Sequence, residues 1–342
     1  MRRSVCLIVV LVASAATPAT VSGLITTVRT ALQHKQSDSH LAGELRKLSL
    51  DERLDWRIIE ELESEGAGPK AVTALEMLME ESEGLPVPRA LPFPVIPKPM
   101  AREQSYALEE AARNSLNYAA SLPDFICTES VRRYEDMKLK EKQNWELKDT
   151  LSLKLSYFEH VEDYKLVAVN GKSTYRSYLE VGGAVSQGEF GSLLLSIFRG
   201  APRDRFVWDH WTTLRRRPTH VFAFRIKIED STYNVQFASS WQQPISTRSG
   251  QHGFVYVDRE TNRVVRIYAE ADGIPADFPV TNVTMLVDYD FVDVGGHPFL
   301  LPLRALVRMG TNRIQTRNEV AFTGYRKFTS DTNITFDLKD AK

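Results

Sequence analysis

Cysteine is nearly absent: the chain has two, Cys6 and Cys127. Cys6 lies inside the apolar run Val5-Cys6-Leu7-Ile8-Val9-Val10-Leu11-Val12-Ala13, not after it, so it does not suit lipid attachment. Loss of that segment as a leader would leave Cys127 alone and exclude an intramolecular disulfide. In Phe125-Ile126-Cys127-Thr128 the remaining thiol reads as a small buried hydrophobe on a strand, against the alternative of a reactive group. Long apolar runs are missing too. A spanning helix needs about 20 apolar residues, and no segment past the start approaches this, so the chain is expected not to be transmembrane. Charge of one sign is lacking: 43 basic residues face 44 acidic ones, which argues against a broad nucleic-acid surface. Also missing are G-x-S-x-G, H-E-x-x-H, a Walker loop and G-x-G-x-x-G. No catalytic residue, metal site or cofactor is therefore expected, and the chain does not read as an enzyme.

What is present begins with Met1-Arg2-Arg3-Ser4 ahead of the short apolar run, the pattern of a secretory signal. Small residues at Ala13-Ser14-Ala15 and at Val21-Ser22-Gly23 both suit cleavage, and cleavage after Gly23 is preferred, giving residues 1–23 as leader. The expected location is periplasmic or secreted.

Three regions follow. Residues 24–85 read as a small helical domain. Leu50, Leu54, Ile58, Ile59 and Leu62 recur at helical spacing, as do Val72, Leu75, Leu78 and Met79, with Gly66 and Pro69 between the two runs. Residues 86–100 hold Pro86, Pro88, Pro92, Pro94, Pro97 and Pro99, a density that favours an extended linker. Residues 101–120 return to helix.

From Asp124 the period becomes two. Phe222, Phe224, Ile226 and Ile228 alternate with polar positions. Val283, Met285, Val287, Tyr289 and Phe291 do so against Thr284, Leu286, Asp288 and Asp290. Such strands have one buried and one wetter face. Turn clusters at 229–231, 258–262, 295–296 and 310–312 predict hairpins in series, roughly ten strands in a meander or partial barrel. One stretch breaks the pattern. After Gly182-Gly183 and Gly188, the residues Phe190, Leu193, Leu194, Ile197 and Phe198 would form an apolar helical face. It suits either a lid over a cavity or a permanent plug.

Other constellations read as structural. In Trp208-Asp209-His210-Trp211 the adjacent Asp209 and His210 are expected on opposite faces, with the tryptophans as anchors and His220 nearby in sequence. Arg215-Arg216-Arg217 reads as a solvated turn, against an anionic head-group site. Gly66-Ala67-Gly68-Pro69-Lys70-Ala71-Val72 resembles the phosphate-holding hairpin of helix-hairpin-helix units, although turn chemistry alone accounts for it.

The sheet region resembles the LolA/LolB-like superfamily of periplasmic lipoprotein carriers, and secreted bacterial proteins with the same helical-then-sheet layout. The resemblance rests on the helix 101–120 running into Leu122-Pro123-Asp124-Phe125, on the hairpin from Phe254 to Ile267, and on Asp288-Tyr289-Asp290-Phe291-Val292-Asp293-Val294-Gly295-Gly296 leading to Leu301-Pro302-Leu303. It spans about 101–338. It implies an α+β fold: a largely antiparallel half-open β-barrel with a leading helix and a lid-like helix, here preceded by the small all-α domain. It also implies an apolar cavity for acyl chains, lined by Phe222, Phe224, Ile226, Ile228, Tyr289, Phe291, Phe190, Leu194, Ile197 and Phe198. The expected role is a carrier or envelope sensor of a lipid-like ligand. The alternative is an interaction module with a packed β scaffold, contacting another envelope protein through 24–85.

Overall fold

A computed structural model describes residues 18–89, 96–137, 145–159, 161–181, 191–200, 203–237 and 245–328. The chain divides into two compact units, Met1–Val95 with Thr213–Arg216, and Ile96–Thr212 with Arg217–Lys342.

The first unit contains helices α1 (Val21–Gln33), α2 (Asp38–Leu45), α3 (Trp56–Ser64) and α4 (Pro69–Glu81). Each presents one apolar face to a shared core, including Leu24, Val28, Leu41, Ile58, Leu62 and Leu75. The order begins earlier than the preferred leader boundary. Thr20 caps α1 by accepting from the Gly23 amide at 3.0 Å, Ala19 donates to the Ser49 carbonyl at 2.8 Å, and Val21 is 2 % exposed. A cut after Gly23 would remove this cap and part of the core, so the helical unit starts several residues before 24.

The glycine-proline turn before α4 is also occupied from within. The Asp38 carboxylate accepts from the Lys70 and Ala71 amides at 2.9 and 2.8 Å. A Cβ on Gly68 would lie 2.5 Å from that carboxyl, hence glycine there. The amides a phosphate would use are thus capped by this chain's own carboxylate.

The second unit opens with α5 (Ala101–Leu116) and α6 (Tyr118–Ser121). Strands β1 (Phe125–Asp136), β2 (Glu146–Phe158), β3 (Val161–Val169) and β4 (Lys172–Ser173) follow, then α7 (Ser192–Phe198), β5 (Phe206–Leu214) and β6 (Arg217–Ile226). A small hairpin, β7 (Asn234–Phe237) and β8 (Ile245–Arg248), precedes β9 (Gly250–Asp258), β10 (Val264–Asp272), β11 (Val280–Val294), β12 (His297–Thr311) and β13 (Gln315–Lys327). Eleven of the strands form one sheet in the order β4-β3-β2-β1-β13-β12-β11-β10-β9-β6-β5. The ladders from β4 through to β6 are antiparallel, and the sheet does not close on itself. This is the α+β half-open barrel expected from the resemblance.

Register explains the core. Phe222, Val255, Ile267, Val287, Ala305, Val320, Val131 and Leu151 stand opposite one another from β6 to β2, and none exceeds 3 % exposure. The period-two reading of the strands is therefore right for this face. The wetter face is a correction. Its adjacent row includes Tyr256, Arg266, Asp288 and Arg304, and Arg266 and Asp288 are fully buried. Arg266 grips Asp288 through two bonds of 2.5 and 3.0 Å, and Arg304 Nε adds a third at 2.6 Å. Charge is tolerated there because it is paired.

Two irregularities shape the sheet. Asp288 faces Arg304 but Tyr289 faces Pro302, so Leu303 is an extra residue and Pro302 sits inside β12 at a bulge. On β9, Gly253 has φ 154°, and a Cβ there would lie 2.0 Å from the Tyr268 carbonyl oxygen. Only glycine permits that approach between β9 and β10.

Candidate functional site

The helices of the second unit cover the apolar face of the sheet. Tyr118, at the start of α6, donates from its hydroxyl to the Leu300 carbonyl at 2.9 Å and meets the Tyr289 ring edge-on at 5.9 Å. Along α7, Phe198 stacks on Phe206 at 5.3 Å, and Phe206 lies 6.3 Å from Phe224. The helix is bounded by Gly191 (φ 154°) and Gly200 (φ 63°), conformations that favour glycine. The glycine lead-in expected at Gly182, Gly183 and Gly188 lies outside the described residues.

Of the expected ligand-lining residues, Phe222, Phe224, Ile226, Tyr289, Leu194, Ile197 and Phe198 share this region, each at most 3 % exposed. Among the described residues the ring contacts in this region run from Phe198 through Phe206 to Phe224 and from Tyr118 to Tyr289. A space of about 10 Å³ bordered by Ser115, Tyr118, Leu194, Val264 and Leu300 is no larger than one water needs. Phe291 is half-buried under the Arg217 guanidinium, 4.9 Å from its ring centre. Ile228 is misplaced in the sequence reading. The β6–β9 ladder ends at Ile226 opposite Gln251, and Ile228 opens a short 3-10 turn, 39 % exposed. Phe190 lies outside the described residues.

Beside α7 runs a groove of about 320 Å³. Its lining includes Ser192, Ser196 and Arg199 from the α7 segment, Tyr233 and Asn234 from the approach to β7, and Met285 from β11. Ser196 Oγ lies 3.5 Å from the amide nitrogen of Gln251, a residue only 1 % exposed. The sequence reading named none of these polar residues. Their only signal was a hydroxyl or a cation beside the apolar stripe of α7, which carries no periodicity of its own.

The other constellations resolve structurally. Trp208 Nε1 donates to His220 Nδ1 at 3.3 Å, and the Trp211 ring centre is 4.1 Å from that of His220. Burial, reinforced by the nearby Arg259 and opposed by Glu103, lowers the His220 pKa to about 4. It is a neutral, packed imidazole. Asp209 and His210, expected on opposite faces, do meet: His210 Nδ1 is 2.6 Å from Asp209 Oδ2. They lie on an end strand of the sheet, where side-chain ends can curl around the edge. Alternation fixes the Cβ direction, not the tip of the side chain. Arg215 and Arg216 have positive φ in the two-residue turn before β6, Arg215 lies 3.6 Å from Glu63, and Arg217 lies 3.7 Å from Asp258. The basic cluster thus disperses into separate pairs. Cys127 is 4 % exposed, and burial beside Glu129 pushes its thiol pKa far up, so it is not a poised nucleophile.

No family model and no curated protein matches the chain. Solved structures that overlap it include the following two. One is a DUF1329 family protein from Desulfovibrio piger, with TM-score 0.29 and 10 % identity over 70 % of this chain and 98 % of that one. The other is a domain named for outer membrane lipoprotein sorting from Vibrio parahaemolyticus, with TM-score 0.29 and 10 % identity over 66 % of this chain and 95 % of that one. Overlap at that level sets neither family nor function, so the functional reading rests on the site itself.

Among the described residues no three His, Cys, Asp or Glu side chains gather as a metal site, and no helix is long and apolar enough to cross a membrane.

Proposed function

We propose that this is an exported, periplasmic or secreted protein that binds a lipid-like ligand at the α7 end of its half-barrel, as a carrier or envelope sensor. The observation that carries this reading is α7 itself. It is a seven-residue apolar helix held between two glycines of positive φ, seated on the Phe206–Phe224 cluster and bordering a groove. A cover of that kind can be displaced by an apolar chain that replaces its contacts. The sequence resemblance of 101–338 to lipoprotein carriers points the same way.

A second reading has its own support. The side chains on the apolar face are buried, as a structural scaffold also requires, and the helical unit would then serve as the contact for another envelope protein.

Uptake of a fluorescent fatty-acid probe, measured beside thermal melting, separates the two. The lid reading expects saturable uptake by the wild type and loss of uptake in Ile197→Glu with only a modest fall in the melting temperature. Phe224→Glu, beneath the helix, should lose both uptake and fold, because it buries an unpaired charge at a cost of several kcal/mol. A wild type that takes up no probe, with Ile197→Glu melting as badly as Phe224→Glu, would leave the scaffold reading in place.

A further inference from the structure

We propose that the groove beside α7 seats a carboxylate head group, with Arg199 as its counter-ion. The inference rests on the lipid-binding reading and adds the chemical class of the ligand, a single-chain carboxylic acid. The groove, about 320 Å³, falls at the small end of the range for small-molecule sites, about 300–1,000 Å³.

Its composition is that of a site for a singly charged amphiphile. Arg199 is the one charged residue among the described residues lining it. Among the described residues no carboxylate is within ion-pair reach of Arg199. Around it stand the hydroxyl and amide groups of Ser192, Ser196, Thr232 and Asn234, while Leu193, Leu195 and Met285 supply apolar surface. Ser196 links the groove to Gln251, a buried side chain whose amide oxygen has no hydrogen-bond partner among the described residues. An exposed guanidinium with the Ser192 and Thr232 hydroxyls beside it recognises a carboxylate through charge-assisted hydrogen bonds, while the Ser196 hydroxyl is already committed to the Leu193 carbonyl at 2.8 Å. One cation balances one negative charge. A phosphate monoester would bring nearly two, and an ammonium head would be repelled. The first methylenes beyond the carboxylate would lie on Leu193, Leu195 and Met285, at the border of the α7 cover.

The test uses the full-length protein and isothermal titration with decanoate, decanol, decyltrimethylammonium and acetate. Decanoate should bind roughly tenfold or more tightly than decanol, the ammonium more weakly still, and acetate hardly at all. Arg199→Gln should bring decanoate down to the level of decanol and leave decanol unchanged. Asn234→Asp, which adds a negative charge to the groove, should weaken decanoate selectively. Arg199 is exposed, so both melting temperature and decanol binding should survive its replacement. If wild-type protein binds decanoate and decanol equally, or if Arg199→Gln leaves decanoate unchanged, the head-group site is overturned while lipid binding stands. If no ten-carbon ligand binds, or acetate binds as well as decanoate, the lipid reading falls and this inference with it.

Discussion

Replacing Asp288 by leucine should be among the most damaging single changes in the sheet. Arg266 and Asp288 are both fully buried, held by two hydrogen bonds of 2.5 and 3.0 Å, with Arg304 adding a third at 2.6 Å. Asp288→Leu keeps the branched four-atom outline of the side chain, with methyls in place of the carboxylate oxygens, but takes the carboxylate away from a guanidinium inside the protein. Removing one partner of a buried pair costs about 3–5 kcal/mol. In a domain of this size each kcal/mol lowers the melting temperature by about 2–4 °C, so a drop of roughly 6–20 °C is expected. The surface pair of Arg225 and Asp272, 2.6 Å apart with the Arg225 side chain 65 % exposed, is the internal control. Arg225→Gln should lose no more than about 1 kcal/mol. Urea unfolding followed by the β-sheet circular-dichroism band measures both. The triple variant Arg266→Met, Asp288→Leu, Arg304→Met removes all three charges together and should recover most of the loss, because the penalty lies in leaving a charge unpaired. An Asp288→Leu loss below about 1 kcal/mol, or a triple variant no better than the single, would refute the view that these buried charges are held by their pairing.

His220 gives a pH test. Its pKa is lowered to about 4, chiefly by burial, from an unfolded value of about 6.5, so the unfolded chain binds the proton more tightly. Stability should be complete above about pH 6.5 and decline as pH falls toward 4, by about 3 kcal/mol at most. His220→Phe should flatten that slope, and unchanged pH dependence in the variant would remove the assignment. Gly253→Ala should destabilise by at least about 1–3 kcal/mol, since its Cβ would lie 2.0 Å from the Tyr268 carbonyl oxygen; a melt within experimental error of wild type would show that β9 yields there at no cost. If the chain is exported with its first segment removed, mass spectrometry of the mature N-terminus should find cleavage before Ala19, because Ala19 to Val21 are tied into the helical unit. A mature protein beginning at Leu24 and still fully folded would contradict this.

The buried face of β6 from Phe222 to Ile226 was legible because side chains on a strand alternate with a period of two. Phe222, Val255, Ile267 and Val287 had to align once their turns were placed, and the positive-φ residues Asn262, Gly295 and Gly296 sit where those turns were expected. What could not be read was how deeply the polar face is buried. Asp288 looks like any solvated carboxylate until Arg266 and Arg304 arrive from two other strands, 22 and 16 residues away. Ile228 was lost for the opposite reason. Its alternation continues two residues beyond the last rung that β9 supplies. At the candidate site, the greasy stripe of α7 was visible in the sequence, whereas Arg199 and Gln251 become neighbours of one groove only through the fold.

A sheet that never closes keeps two rims, and rims invite pairing between molecules. On one side β4 covers only Ala168 and Val169 of β3. The rest of β3 carries Glu162, Asp163 and Lys165, charges that make a foreign strand an unwelcome neighbour. On the other side β5 is guarded by the Asp209–His210 pair, while Trp211 is tethered to the Pro97 carbonyl at 3.0 Å. Between those guards and Phe206 lies Val207, 62 % exposed. Among the described residues, self-association would therefore begin along β5, and Val207→Lys is the smallest change that would blunt it.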